Sequence, residues 1–189
     1  MIYLFEKVIG LTAEMHQMAE TDALNLSFRK VLTQIGPFVH AVGIIHRTRV
    51  NERYLVDTTY PESWMEHYIQ KNYQNIDPII APLNYGLTPY NWDQVTVRNA
   101  DQKKIMDEFR DIGFKTGHAI PLPLTPSMLL LTSVASPETD IDYRRRVLLQ
   151  LAVGQYHTRY CQLATQSTNN DAPLMTERER ECLLWVAQG

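Results

Sequence analysis

Cysteine is nearly missing from this chain: among 189 residues there are two, Cys161 and Cys182. Their spacing forms neither a CxxC pair nor a metal-ligand cluster, so neither a disulfide framework nor a structural zinc is expected, and both are read as reduced residues. Long apolar runs are missing as well. The longest, around Met128 to Leu131, falls far short of a bilayer span, and Glu6 and Lys7 interrupt any signal-peptide core. A cytoplasmic protein with no membrane segment is the expectation. Positive charge is not in excess either: the net charge is -3 and the pI is near 6.1, which argues against this segment alone gripping a nucleic-acid backbone. No GxSxG, HExxH or phosphate-binding glycine loop occurs, so the common hydrolase and nucleotide signatures do not apply.

What is present is the composition of a folding domain. Hydrophobic residues make up 44% and charged residues 21%, well away from a disordered chain, and the length suits one main domain with a short appendage. Apolar residues recur at helical spacing from Tyr3 to about Ala19 and from Leu24 to Ile35, the second run stopping at Gly36-Pro37. Val39 to Thr48 and Tyr54 to Thr59 are β-branched and apolar, separated by the polar Arg49 to Glu52, and read as a hairpin. Pro61 to about Asn72 predicts a helix. Asp77-Pro78 predicts another short one to about Leu83, with Asp as cap and Pro at the first helical position.

Tyr90 to Trp92 reads as extended, and Asn99 with Gln102 resembles a capping box opening a helix that ends at Gly113. Two strands follow, His118 to Leu122 and Met128 to Ala135, joined by the Pro-rich Pro123 to Pro126. A long helix from about Asp142 to Ala164 comes next. Gln166 to Pro173 is polar and aperiodic, a linker, and Thr176 with Glu179 caps a final helix. This order fits an antiparallel sheet covered on both faces, an α/β/α sandwich, and not a parallel βαβ design.

The densest chemical signal runs from Tyr60 through Trp64 and Tyr68 to Tyr73 and Asp77-Pro78. Trp64 and Tyr68 are four apart and share one helix face. Two amphipathic rings so placed can bury an apolar body while offering an indole N–H and a phenol at their edges. The ordinary alternative is plain core, and the ordinary role of Asp77 is the helix cap; both stay open on spacing alone.

Tyr60-Pro61, Trp64, Tyr68, Tyr73 and Asp77-Pro78, with Trp92 downstream, resemble the signature of LuxR-type autoinducer-binding domains. Thr88 to Trp92 and the turn Gly113 to Gly117 leading into Ala119-Ile120-Pro121 resemble the same family. Met175 to Gly189 resembles the first helix of that family's helix-turn-helix module, short of its recognition helix. The resemblance implies a PAS/GAF-like sandwich over residues 1–165, a linker over 166–174, and over 175–189 the truncated start of the DNA-binding domain.

It also implies a signal-binding regulator domain, not an enzyme, with an N-acyl homoserine lactone as ligand and no cofactor or metal. By position Trp64 would donate to the lactone carbonyl, Asp77 would accept from the ligand amide, Tyr60 would bond the acyl carbonyl, and Ser133 would add a polar contact. Tyr68 and Trp92 would wall the cavity. Phe109 falls where several relatives carry a small residue, and would shorten the cavity or fill it. Leu124 to Ser127 replaces a commonly Gly-rich turn. The implied partners are a second copy of the chain and, through a complete helix-turn-helix domain, DNA. The long last helix is the candidate dimer element; alternatively Tyr143, Val147, Leu151 and Gly154 pack on their own sheet. Arg144 to Arg146 is read as a solvated face. Two further alternatives are an orphan or truncated family member acting without ligand or through mixed dimers, and an enzyme using His118, Ser133 or Asp77 on an acyl ligand.

Overall fold

A computed structural model describes residues 2–47, 53–81 and 86–168 of the chain. Helices α1 (Ile2–Met15) and α2 (Thr21–Ile35) open it, then strands β1 (Val39–His46) and β2 (Arg53–Thr58), helix α3 (Glu62–Gln70), strand β3 (Tyr90–Asn91), helix α4 (Ala100–Asp111), strands β4 (Thr116–Pro123) and β5 (Met128–Ser136), and helix α5 (Tyr143–Thr168). Among the described residues the strands form one five-stranded antiparallel sheet in the order β2-β1-β5-β4-β3.

Alternation along the strands gives the sheet two apolar faces. Leu130 and Val134 of β5, Val42 of β1 and Ile120 of β4 meet Phe28, Leu32, Leu149 and Tyr156 of α2 and α5. Leu129, Leu131 and Ala135, with Ile45 and Ala119, face the other way, toward Tyr60, Trp64, Ile105 and Phe109 around α3 and α4. Helices therefore cover both faces, and the α/β/α sandwich expected from the order of elements is the observed fold.

The first face carries a buried polar knot. Asp57 accepts from the Arg29 guanidinium, and His40 Nε2 lies 2.8 Å from its Oδ2. His40 Nδ1 lies 3.0 Å from the Thr59 hydroxyl, so in the neutral ring Nε2 donates to the carboxylate and Nδ1 accepts. Burial pushes the Asp57 pKa up, but the His40 and Arg29 hydrogen bonds outweigh it and hold the carboxyl below its ordinary range. The knot ties α2 to both strands of the hairpin.

Several expectations need correction. The helix predicted to about Ala19 ends at Met15. No α-helix opens at Asp77 over the described residues 77–81: Ile80 N–H bonds the Asp77 carbonyl at 3.1 Å, an i to i+3 link that closes a turn there. The predicted capping box at Asn99 is half formed. Asn99 Oδ1 accepts from Gln102 N–H at 2.9 Å, but Gln102 Oε1 turns to Arg98 N–H at 2.8 Å. A full box stands at Asn91 and Gln94, where a 3₁₀ turn carries Trp92.

Strand β4 runs through Pro121 and Pro123, longer than predicted. That is tolerated because β3 pairs only with His118 and Ala119, leaving the rest of β4 an edge with no ladder donor needed on that side. Helix α5 opens on Asp142, whose Oδ1 accepts from the N–H groups of Arg144 and Arg145 at 2.9 and 3.0 Å. It continues to Thr168, into the stretch expected as a linker. Arg145 and Arg146 pair with Glu138 and Asp140, in keeping with a solvated face. The hairpin turn Arg49 to Glu52, the segment to Leu83, the remaining linker, Cys182 and the Thr176 helix lie outside the described residues.

Candidate ligand-binding site

Between the second face of the sheet and helices α3 and α4 lies a cavity of about 370 Å³, within the range of small-molecule sites. All seven residues singled out from the sequence line it: Tyr60, Trp64, Tyr68, Asp77, Trp92, Phe109 and Ser133. They come from six places in the chain. Tyr60 stands at the bend before α3, Trp64 and Tyr68 share a face of α3, and Asp77 sits in the turn after it. Trp92 opens the 3₁₀ turn, Phe109 lies in the last turn of α4, and Ser133 is on β5.

The rings form one cluster. Phe109 lies between Trp64 at 4.7 Å and Trp92 at 4.9 Å, centroid to centroid, with Tyr60 at 5.9 Å. It therefore narrows the cavity without filling it. Trp92 donates its indole N–H to Ser133 Oγ at 3.3 Å, which orients both side chains on the wall. Trp64 is buried in this cluster and also lines the cavity, so the core reading and the cavity reading hold together.

Asp77 likewise makes a local backbone contact and lines the cavity. Its Oδ1 accepts from Ile79 N–H at 2.7 Å, the bond expected of a cap but here bracing a turn, and its Oδ2 accepts from the Tyr68 hydroxyl at 2.7 Å. Each oxygen keeps a further lone pair for a donor within the cavity. Burial pushes the Asp77 pKa above its ordinary value, opposed by the Tyr68 and Ile79 hydrogen bonds and by the charge of Arg53. Burial, with Asp77 beside them, pushes the Tyr60 and Tyr68 phenols well up, so both are proton donors at neutral pH.

The structure adds residues that the sequence reading missed. Tyr68 is more than a wall, since its hydroxyl holds Asp77. Tyr90 donates its hydroxyl to the Ile79 carbonyl and fastens the turn that carries Asp77. Arg53 and Gln74 bring polar ends to the lining, while Met65, Ile79, Ile80 and Leu131 supply apolar surface. Arg53 pairs in register with Ile45, which assigns it to the cavity side; the pairing register was the missing signal.

His118 does not belong to the site. It is paired with Val134, whose side chain is in the other core, while its neighbour Ala119 faces the cavity. Its ring is 3% exposed and touches Asn91 Oδ1 at 2.8 Å and Gln150 at 3.3 Å, and burial lowers its pKa to about 4. It is a satisfied core histidine with the sheet between it and Ser133 or Asp77.

Residues 13–160 match the family model described as the autoinducer binding domain. The transcriptional activator VanR of Vibrio anguillarum is 28% identical over 193 residues, covering 97% of this chain and 78% of VanR. The HTH-type transcriptional regulator y4qH of Sinorhizobium fredii is 26% identical over 158 residues, 82% of this chain, and the chain spans about half of that protein's length, 48%. The structure of Escherichia coli SdiA superposes with a TM-score of 0.67 at 22% identity, covering 98% of this chain and 79% of SdiA, which bears on the fold. VanR and y4qH are named as regulators of transcription, and the chain belongs to the autoinducer-binding domain family of LuxR-type regulators, which are not enzymes.

Proposed function

We propose that this domain binds an N-acyl homoserine lactone in the cavity between the sheet and helices α3 and α4, and that binding is coupled to dimerisation and to DNA binding by a full-length cytoplasmic regulator. The observation that carries the reading is the meeting of Trp64, Tyr60, Asp77 and Ser133 on one largely apolar cavity. An indole N–H and a phenol O–H suit the two carbonyls of the ligand, and a carboxylate suits its amide N–H. The acyl tail gains about 0.8 kcal/mol for each CH₂ buried, while the polar head needs these partners to offset its lost water.

Dimerisation through α5 is supported by its exposed stripe. Tyr143 is 73% and Leu151 44% exposed, and a Cβ at Gly154 would meet nothing within 4 Å. This stripe is turned away from the sheet, which Leu149, Ala152, Val153 and Tyr156 pack instead. DNA contact belongs to residues after α5, with 169–174 a linker and 175–189 the start of a helix-turn-helix module.

Mass spectrometry of ligand extracted from protein expressed with a mixture of acyl homoserine lactones tests the reading, with a Trp64→Phe, Asp77→Asn double variant as control. A lactone retained by the unmutated protein alone supports it. A folded, empty protein overturns it and favours a member that acts without ligand.

A further inference from the structure

The cavity carries more polar groups than the head of a lactone ligand uses. Two carbonyls and one amide N–H are matched by Trp64, Tyr60 and Asp77, with Ser133 already holding Trp92. Left over are Nε and Nη1 of Arg53 and Oε1 of Gln74, all buried with no hydrogen-bond partner among the described residues. Both side chains line the same cavity as Asp77.

An arginine in this state is unusual. A guanidinium cannot shed its charge, and its N–H groups almost always find acceptors when desolvated. Burial lowers the Arg53 pKa, and the nearby Tyr68 and Asp77 oppose the shift without cancelling it, so half-buried Arg53 loses water that these groups do not fully replace. Asp77 offsets part of that cost through its charge, but neither of its oxygens, turned to Ile79 N–H and the Tyr68 hydroxyl, reaches Nε or Nη1 of Arg53. Arg53 also lines a smaller recess with Asn75, Asp77 and Gln102, none of which bonds its Nε or Nη1, and the apolar residues common to both linings, Ile45 and Ile80, offer no side-chain acceptor.

We infer that Arg53 is a specificity-determining residue that selects a ligand whose acyl chain bears an oxygen, a keto or hydroxyl group, over one with a plain alkyl chain. An oxygen on the chain beyond the amide accepts from Arg53; a hydroxyl there has in addition a proton to offer Gln74. A plain chain leaves both groups orphaned against methylene, and a site built to hydrogen-bond an oxygen rejects the analogue without it. The inference rests on the lactone reading of the cavity and extends it to the ligand's chain.

The test uses retained-ligand ratios, which do not depend on how much protein folds. The chain is expressed with an equimolar mixture of octanoyl, 3-oxo-octanoyl and 3-hydroxyoctanoyl homoserine lactones, and the retained ligands are quantified by mass spectrometry. The unmutated protein is expected to retain the oxygenated ligands over the plain one by about tenfold or more. Arg53→Met, which keeps the apolar stem, should bring that ratio near one, and Arg53→Lys should keep part of it. If Arg53→Met does not accumulate, the unmutated ratio and Arg53→Lys decide. A ratio near one in the unmutated protein overturns the inference and leaves the lactone reading intact, as does a preference that survives Arg53→Met. A folded protein that retains none of the three overturns both.

Discussion

The indole of Trp92 lies so close over Gly117 that a Cβ on the glycine would stand 2.2 Å from the ring's Cε2. Real Cβ atoms do not come that near, and the obstacle is a rigid ring buried against Phe109 and bonded to Ser133. The glycine that begins the β4 run into Ala119 is thus there to let a cavity wall lie flat on the strand.

Gly117→Ala should therefore act on the site and not on the strand alone. Trp92 must shift, its hydrogen bond to Ser133 breaks, and the cavity wall moves. The expected result is a loss of stability of about 1–3 kcal/mol, the scale of overpacking a well-filled core, together with weaker ligand retention. Urea unfolding and retained-ligand measurements on the same variant check both. Unchanged retention alongside reduced stability would show that the Trp92 wall is not part of the binding surface.

Asp77 and Asp57 should leave opposite marks on stability against pH. The Asp77 carboxyl is raised above its ordinary 3.8 by burial, so the fold favours its neutral form. Its contribution to the empty domain is full below 3.8 and is lost as pH rises through the higher folded value. Asp77→Asn removes that loss. The melting temperature of the variant should gain on that of the unmutated protein as pH rises from about 4 toward neutrality, while ligand retention falls. Parallel melting curves would contradict the assignment.

For Asp57 the sign reverses. His40 and Arg29 overcome the burial cost and depress its pKa, so its stabilisation is present above 3.8 and is lost as pH falls through the lower folded value. Asp57→Ala leaves the buried His40 Nε2 donor without its acceptor, while Arg29, 40% exposed, can turn to water, and the change should cost about 1–3 kcal/mol at neutral pH. Because this knot lies on the sheet face away from the cavity, the ratio among retained ligands should not change. A changed ratio in the Asp57 variant would mean that the two faces are coupled.

The layering of the fold and the lining of the cavity were legible because each rests on local signals. Period and breakers marked α2 and its stop at Gly36, and the aromatic spacing placed Trp64 and Tyr68 on one face of α3. What stayed hidden depended on pairing across the chain. The turn after Asp77 looked like a helix start because the cap and the proline were both present; Tyr68 and Tyr90, which hold that turn in its place, are distant signals. Pro123, assigned to the turn, argued against a longer β4, and only the shortness of β3 makes it and Pro121 harmless. Arg53 lies on the cavity side through its pairing with Ile45, and no local pattern specifies that register.

Phe109 gives the sharpest steric prediction. Its ring touches Trp64, Trp92 and Tyr60 and is 4% exposed, so it serves as packing for three other lining residues and as a limit on the cavity. Phe109→Ala should destabilise the empty domain by about 3–5 kcal/mol, the usual cost of deleting a buried phenyl group. The space it opens joins the cavity, so the variant should retain lactones with longer or bulkier acyl chains than the unmutated protein does from the same mixture. Such ligands should also restore part of the lost stability, because filling the new space recovers contacts that the deletion removed. Chain-length profiles of retained ligand, read beside melting temperatures with and without each lactone, check the two effects together. An unchanged profile in a folded Phe109→Ala variant would show that the acyl chain runs elsewhere, toward the Tyr54, Leu55 and Ile69 side of the lining.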